Sequence, residues 1–147
     1  MKRSLSVPIT LWVNRLLFAL ICVLIFLVPR LLDIYSRMRP LGGYARLSIL
    51  LCFYCCVPVV AAALVCIEFL LKNIRKKEIF VVSNLNHIRR IRLCCALVSL
   101  ISLPASLYYM PLIFLVLIMA FLSLMVNVVC QVFKAAVALR EENDLTI

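Results

Sequence analysis

Polar and apolar positions along this chain are segregated into blocks rather than interleaved, the pattern of a protein whose solvent changes along its length. Residues 47–67 carry no charge, which meets the roughly 20 apolar residues a helix needs to cross about 30 Å of hydrocarbon. Residues 93–133 form one charge-free run about twice that length, so it has to fold back on itself. Pro104 and Tyr108-Tyr109-Met110-Pro111 mark the turn: tyrosines suit the headgroup level, and Pro111 suits the first position of a new helix. A first span, interrupted at its ends by Arg15 and Arg30, crosses only if an arginine snorkels to the interface, with Trp12 as an anchor. The pattern predicts a single all-α membrane domain, a polytopic bundle of four transmembrane helices near 11–32, 47–71, 91–109 and 111–133.

Composition agrees with that reading. Two-thirds of the residues are apolar, against about 45–50% in soluble domains, an excess that a water-facing fold cannot hide. The eight cysteines lie in apolar runs or at their margins, whereas secreted disulfide scaffolds place theirs in polar loops, so packing is the expected role. Met1-Lys2-Arg3 before an apolar run imitates a signal peptide, but no small-residue cleavage site follows, and a retained first helix is expected.

Charge sets the expected orientation. With the N-terminus inside, the cytoplasmic side holds Lys2, Arg3, Arg15, Lys72, Arg75, Lys76, Lys77, Arg89, Arg90, Arg92, Lys134 and Arg140, and the outer side holds Arg30, Arg37, Arg39 and Arg46. Twelve against four is a strong positive-inside bias, which predicts both termini and a short, structured, basic loop over 72–92 in the cytoplasm. Ser83 or Asn84 suits the cap of a helix leading into the third span. The last residues, 134–147, form a cytoplasmic tail that favours helix and ends acidic with Glu141, Glu142 and Asp144. The basic segments suit anionic lipid headgroups better than nucleic acid, since no nucleic-acid-binding fold is recognisable.

Small residues recur at steps of three and four along three spans: Ser48, Cys52, Cys55, Val59, Ala62 and Cys66; Cys95, Ser99, Ser102 and Ser106; Ala120, Ser123, Asn127 and Cys130. Such seams let lipid-buried helices approach closely, and they predict a compact bundle. Pro58 is expected to kink the second helix. Asn127, well inside a span, reads as an interhelical hydrogen bond or as a ligand contact. Glu68 lies one turn before Lys72, an ordinary helical pair, and Arg15 is placed to snorkel or to meet Glu68 from the neighbouring helix. Cys52-Phe53-Tyr54-Cys55 has redox or zinc spacing, yet it sits inside a span with the only histidine, His87, on the opposite side. No Gly-rich phosphate loop, paired intramembrane carboxylates or His cluster points to an enzyme, and neither cofactor nor metal is expected.

Two stretches carry a family likeness. Residues 73–80, Asn-Ile-Arg-Lys-Lys-Glu-Ile-Phe, followed by Asn84 and Ile88-Arg89-Arg90-Ile91, resemble the central signature of the bacterial domain-of-unknown-function 2975 membrane family. Leu139-Arg140-Glu141-Glu142-Asn143-Asp144-Leu145-Thr146-Ile147 resembles its C-terminal signature. Lys77 stands where the family usually has Gly, and Val81 where it has a Thr or Ser cap. The resemblance implies a multi-pass protein of the bacterial cytoplasmic (inner) membrane, often encoded beside a small helix-turn-helix regulator, and it brings no catalytic residue with it. The expectation is a non-enzymatic regulatory or interaction protein whose basic loop and acidic tail dock a cytosolic partner. The alternative is a small oligomeric transporter or export subunit, whose polar path would have to use Asn127, the serines and Arg15.

Overall fold

The computed structural model describes residues 6–76 and 82–146. They form four helices: α1 (Ser6–Met38), α2 (Gly43–Arg75), α3 (Val82–Tyr108) and α4 (Leu112–Leu145). Each is long and apolar enough to cross a membrane, and no strand occurs among the described residues. Lipid offers the backbone no hydrogen-bond partner, so a spanning segment has to satisfy its amides internally, and the helix does this.

The helices outrun the apolar blocks that seed them. At 33 or 34 residues, α1, α2 and α4 are about 50 Å long, against about 30 Å of hydrocarbon. Leu, Lys, Arg and Glu are good helix formers, and no Pro or Gly stops α2 or α4 where its apolar run ends. Most of the segment 72–92 is therefore helical: Lys72 and Arg75 end α2, while Arg89, Arg90 and Arg92 belong to α3. Ser83 and Asn84 both lie within α3. Lys77 and Val81 lie outside the described residues, as do Lys2 and Arg3.

The α3–α4 turn falls where Tyr108-Tyr109-Met110-Pro111 marks it in the sequence. Pro104 lies inside α3, and the chain reverses over Tyr109, Met110 and Pro111, with the Leu112 amide donating to the Tyr109 carbonyl at 3.0 Å. A proline forfeits one helical bond, which membrane helices tolerate. Pro111 occupies the cap position of α4, one residue before its first turn.

The helices pack antiparallel in chain order, α1 on α2, α2 on α3 and α3 on α4, with no other close backbone approach between helices among the described residues. The α3–α4 register repeats at seven-residue steps. Ser99 donates to the Val116 carbonyl at 3.1 Å, Ser123 donates to the Arg92 carbonyl at 3.3 Å, and Leu85 clusters with Cys130. This is the spacing of left-handed helix packing, and it places Ser99 of the α3 seam and Ser123, Asn127 and Cys130 of the α4 seam at their contact. On α2, Cys52, Cys56, Leu70 and Asn73 meet α3, and Val59, Ala63 and Cys66 fill the same line at steps of three and four, all buried or half-buried. Cys55 and Ala62, expected on that seam, are exposed. Fully buried Ser102 lies 3.5 Å from the Cys52 sulfur and 4.0 Å from that of Cys56. The seams thus act in series rather than around one common core.

At one end of the row α1 is held largely by polar clasps. Buried Asn14 donates Nδ2 to the Leu64 carbonyl at 3.1 Å, Arg46 pairs with Asp33, and the Tyr35 and Tyr109 hydroxyls meet at 3.1 Å. The most telling clasp is Tyr54. Pro29, inside α1, has no N–H to give the Ile25 carbonyl one turn back, and the Tyr54 hydroxyl of α2 donates to that carbonyl at 3.1 Å. An acceptor stranded in hydrocarbon is satisfied by its neighbour. Tyr54→Phe is expected to cost about 1–3 kcal/mol, read from the unfolding midpoint in mixed micelles. In a Pro29→Ala background, where α1 supplies its own N–H, the same change is expected to cost far less.

Candidate functional site at the charged end

Antiparallel packing gathers the start of α1, the end of α2, the start of α3 and the end of α4 at one end of the molecule. This end carries every described candidate residue. Its two halves differ in how their charges are neutralised.

On the α1–α2 side, cations and acid are matched. Glu68 pairs with Lys72 at 3.1 Å, one helical turn on, and with Arg15 of α1 at 3.6 Å. The sequence placed all three residues, and the interhelical pair joins them. Lys72 also lies 5.7 Å above the Phe69 ring, whose other partner is the parallel His87 ring of α3 at 5.8 Å. Between α2 and α3, Asn73 donates to the side chain of fully buried Asn84 at 2.8 Å. Leu85, Ile88 and Cys130 form a small core there, packed by Leu70, Val126 and Phe133.

On the α3–α4 side the cations lack acids. Arg92 donates Nη1 to the Asn127 side chain at 2.6 Å, so Asn127 makes the interhelical hydrogen bond expected of it, with an arginine as donor. The Arg92 backbone is level with Ser123, and its side chain reaches toward the charged end, as Cβ direction in a helix dictates. An open pocket of about 310 Å³ adjoins this pair, lined by Arg89, Arg92, Asn127, Cys130, Gln131 and Lys134. Among the described residues no carboxylate lies within ion-pair distance of Arg89, Arg92 or Lys134.

The remaining candidates point into solvent. Arg75, Lys76 and Arg90 are exposed. Glu141, Glu142 and Asp144 are exposed on the last turns of α4, which continues as helix past Lys134, and they form no ion pair with any described basic residue. Asn127, Ser102 and Arg15 fall at three different helix contacts, α3–α4, α2–α3 and α1–α2. Sequence reasoning missed Asn14, Gln131 and Asn84's role as a buried partner. An asparagine at the edge of an apolar run was the available signal for Asn14, and the step of four from Asn127 was the signal for Gln131. All eight cysteines are free, and no cluster of metal-ligating side chains occurs among the described residues.

Asn127→Leu should leave Arg92 without an acceptor at the edge of the hydrocarbon and cost about 1–3 kcal/mol. Asn127→Asp, which supplies a charged acceptor, should restore or exceed the wild-type midpoint in the same micelle unfolding experiment.

Comparison with known proteins places this architecture. A family model described as protein of unknown function, DUF2975, matches residues 3–147, and no curated protein and no solved structure matches the chain. With four apolar helices and a match over nearly its whole length, the chain is a multi-pass membrane protein that belongs to the DUF2975 family.

Proposed function

We propose that this is a non-enzymatic regulatory or interaction protein of the bacterial cytoplasmic membrane, with its charged end in the cytoplasm and the last turns of α4 as the docking element. The observation that carries the reading is the state of Glu141, Glu142 and Asp144: an acidic helix end, exposed and unpaired with the described basic residues beside it. Had the tail been the internal counter-ion of the described basic residues, those charges would be matched. From Lys134 to Leu145 the helix rises about 18 Å beyond the apolar part of α4, far enough to be grasped by a soluble partner. Charge complementarity of this kind steers encounter and selects partners. A helix-turn-helix regulator with a basic surface, of the sort the family resemblance implies, is the favoured candidate. The alternative role of small oligomeric transporter or export subunit gains no support within one chain, because its polar residues lie at separate contacts and a path would have to form between copies.

Orientation is checked by C-terminal reporter fusions: a fluorescent protein that folds only in the cytoplasm should fluoresce, and alkaline phosphatase at the same site should be inactive. Docking is checked by a photocrosslinker at Asp144 in intact cells. A crosslink to the regulator that is lost when Glu141 and Glu142 are both changed to Gln is expected, whereas capture of only Lys76 or Arg90 of the same chain would contradict docking.

A further inference from the structure

The pocket between α3 and α4 has the composition of an anion site. Three cations, Arg89, Arg92 and Lys134, line it together with the amides Asn127 and Gln131, and no described carboxylate offsets them. The contrast within the molecule is informative: Arg15 and Lys72 share Glu68, and Arg46 has Asp33, so the fold supplies acids where it uses cations for clasps. Asn127 is neutral and occupies one of the five N–H donors of Arg92, leaving a planar fork with donors to spare. A cation at the edge of hydrocarbon is costly without a counter-ion. None of the described acids supplies that counter-ion, so the pocket is open to an anion that does.

Position narrows its chemistry. Lys134 is the first charge after the apolar part of α4, and Arg92 is the last before the apolar part of α3, so both mark the membrane boundary where headgroup phosphates lie. Asn127, Gln131 and Lys134 follow one another at steps of four and three along one face of α4, over about 10 Å of rise. Arg89 and Arg92 face them from α3 one turn apart. Arginine forks match phosphate oxygens bidentately, and a lysine adds a point charge. We infer that this pocket binds a phosphate group, held by Arg92 and Arg89 from α3 and Lys134 from α4, with Gln131 as a neutral donor. At this depth a phospholipid headgroup is the natural source, and a small soluble phosphate ester shares the chemistry.

The test uses the full chain purified in neutral detergent, probed by native mass spectrometry with phosphatidylglycerol and, separately, with glycerol 1-phosphate. Asn127→Asp keeps a partner for Arg92 but places a carboxylate in the pocket, and Lys134→Gln removes a cation without touching the Arg92–Asn127 bond. Wild type should retain phosphatidylglycerol, and each variant should lower that affinity about tenfold or more, with thermal melting confirming an intact fold. An Arg37→Gln, Arg39→Gln variant at the opposite end should bind as wild type does. Retention of glycerol 1-phosphate with the same dependence would support the site and assign it to a soluble ester. Phosphatidylglycerol held equally by wild type and both variants, or neither probe held by wild type, would overturn the inference.

Discussion

Hydrocarbon offers neither a hydrogen-bond partner nor a counter-ion, and the organisation of this protein follows from that one constraint. It forces each span into a helix. It also removes the hydrophobic incentive for helices to leave lipid for one another, so contact has to come from close approach at small residues and from polar groups that find partners across an interface. The described structure contains both. Ser99, Ser123 and Asn14 donate to carbonyls of the adjacent helix, and Tyr54 serves the one carbonyl in α1 that Pro29 leaves open. These bonds join neighbours in sequence, and with the Tyr35–Tyr109 contact alone reaching from α1 to the α3–α4 turn among the described clasps, the four helices line up in chain order instead of closing on a shared interior.

The same constraint sorts the charges. Cations that clasp α1 to α2 have acids beside them, while those between α3 and α4 face an open pocket. Acids that could have served the second group stand instead at the far end of α4, exposed to water. A single charged end therefore presents two chemically opposite surfaces, a basic recess at the membrane boundary and an acidic helix end beyond it. Such a surface suits contact with headgroups and with a soluble protein at once.

Much of this was legible in the sequence, for physical reasons. Four spans follow from run length against bilayer thickness, and the Lys72–Glu68–Arg15 triad follows from helical spacing and the order of the spans. Asn127 announced an interhelical bond simply by being an amide in an apolar run. What did not show was anything that depends on rotation about a helix axis. Cys55 and Cys56 are equally plausible seam residues in sequence, and only the packed structure turns Cys56 inward and Cys55 out. Tyr54 was read within a Cys-x-x-Cys spacing, although its function is to answer a proline 25 residues earlier. Helix ends were likewise invisible, because hydropathy marks where lipid stops and not where backbone hydrogen bonding does.

The serial, polar-clasped arrangement is tested most directly by disulfide crosslinking of paired cysteines in an otherwise cysteine-free chain. With Leu85→Cys, the retained Cys130 should crosslink rapidly and within the monomer, as their packing requires. With Leu20→Cys and Phe121→Cys, midway along the apolar parts of α1 and α4, no intramolecular crosslink should form, since those helices do not meet. Failure of the first pair, or efficient monomeric closure of the second, would contradict the arrangement.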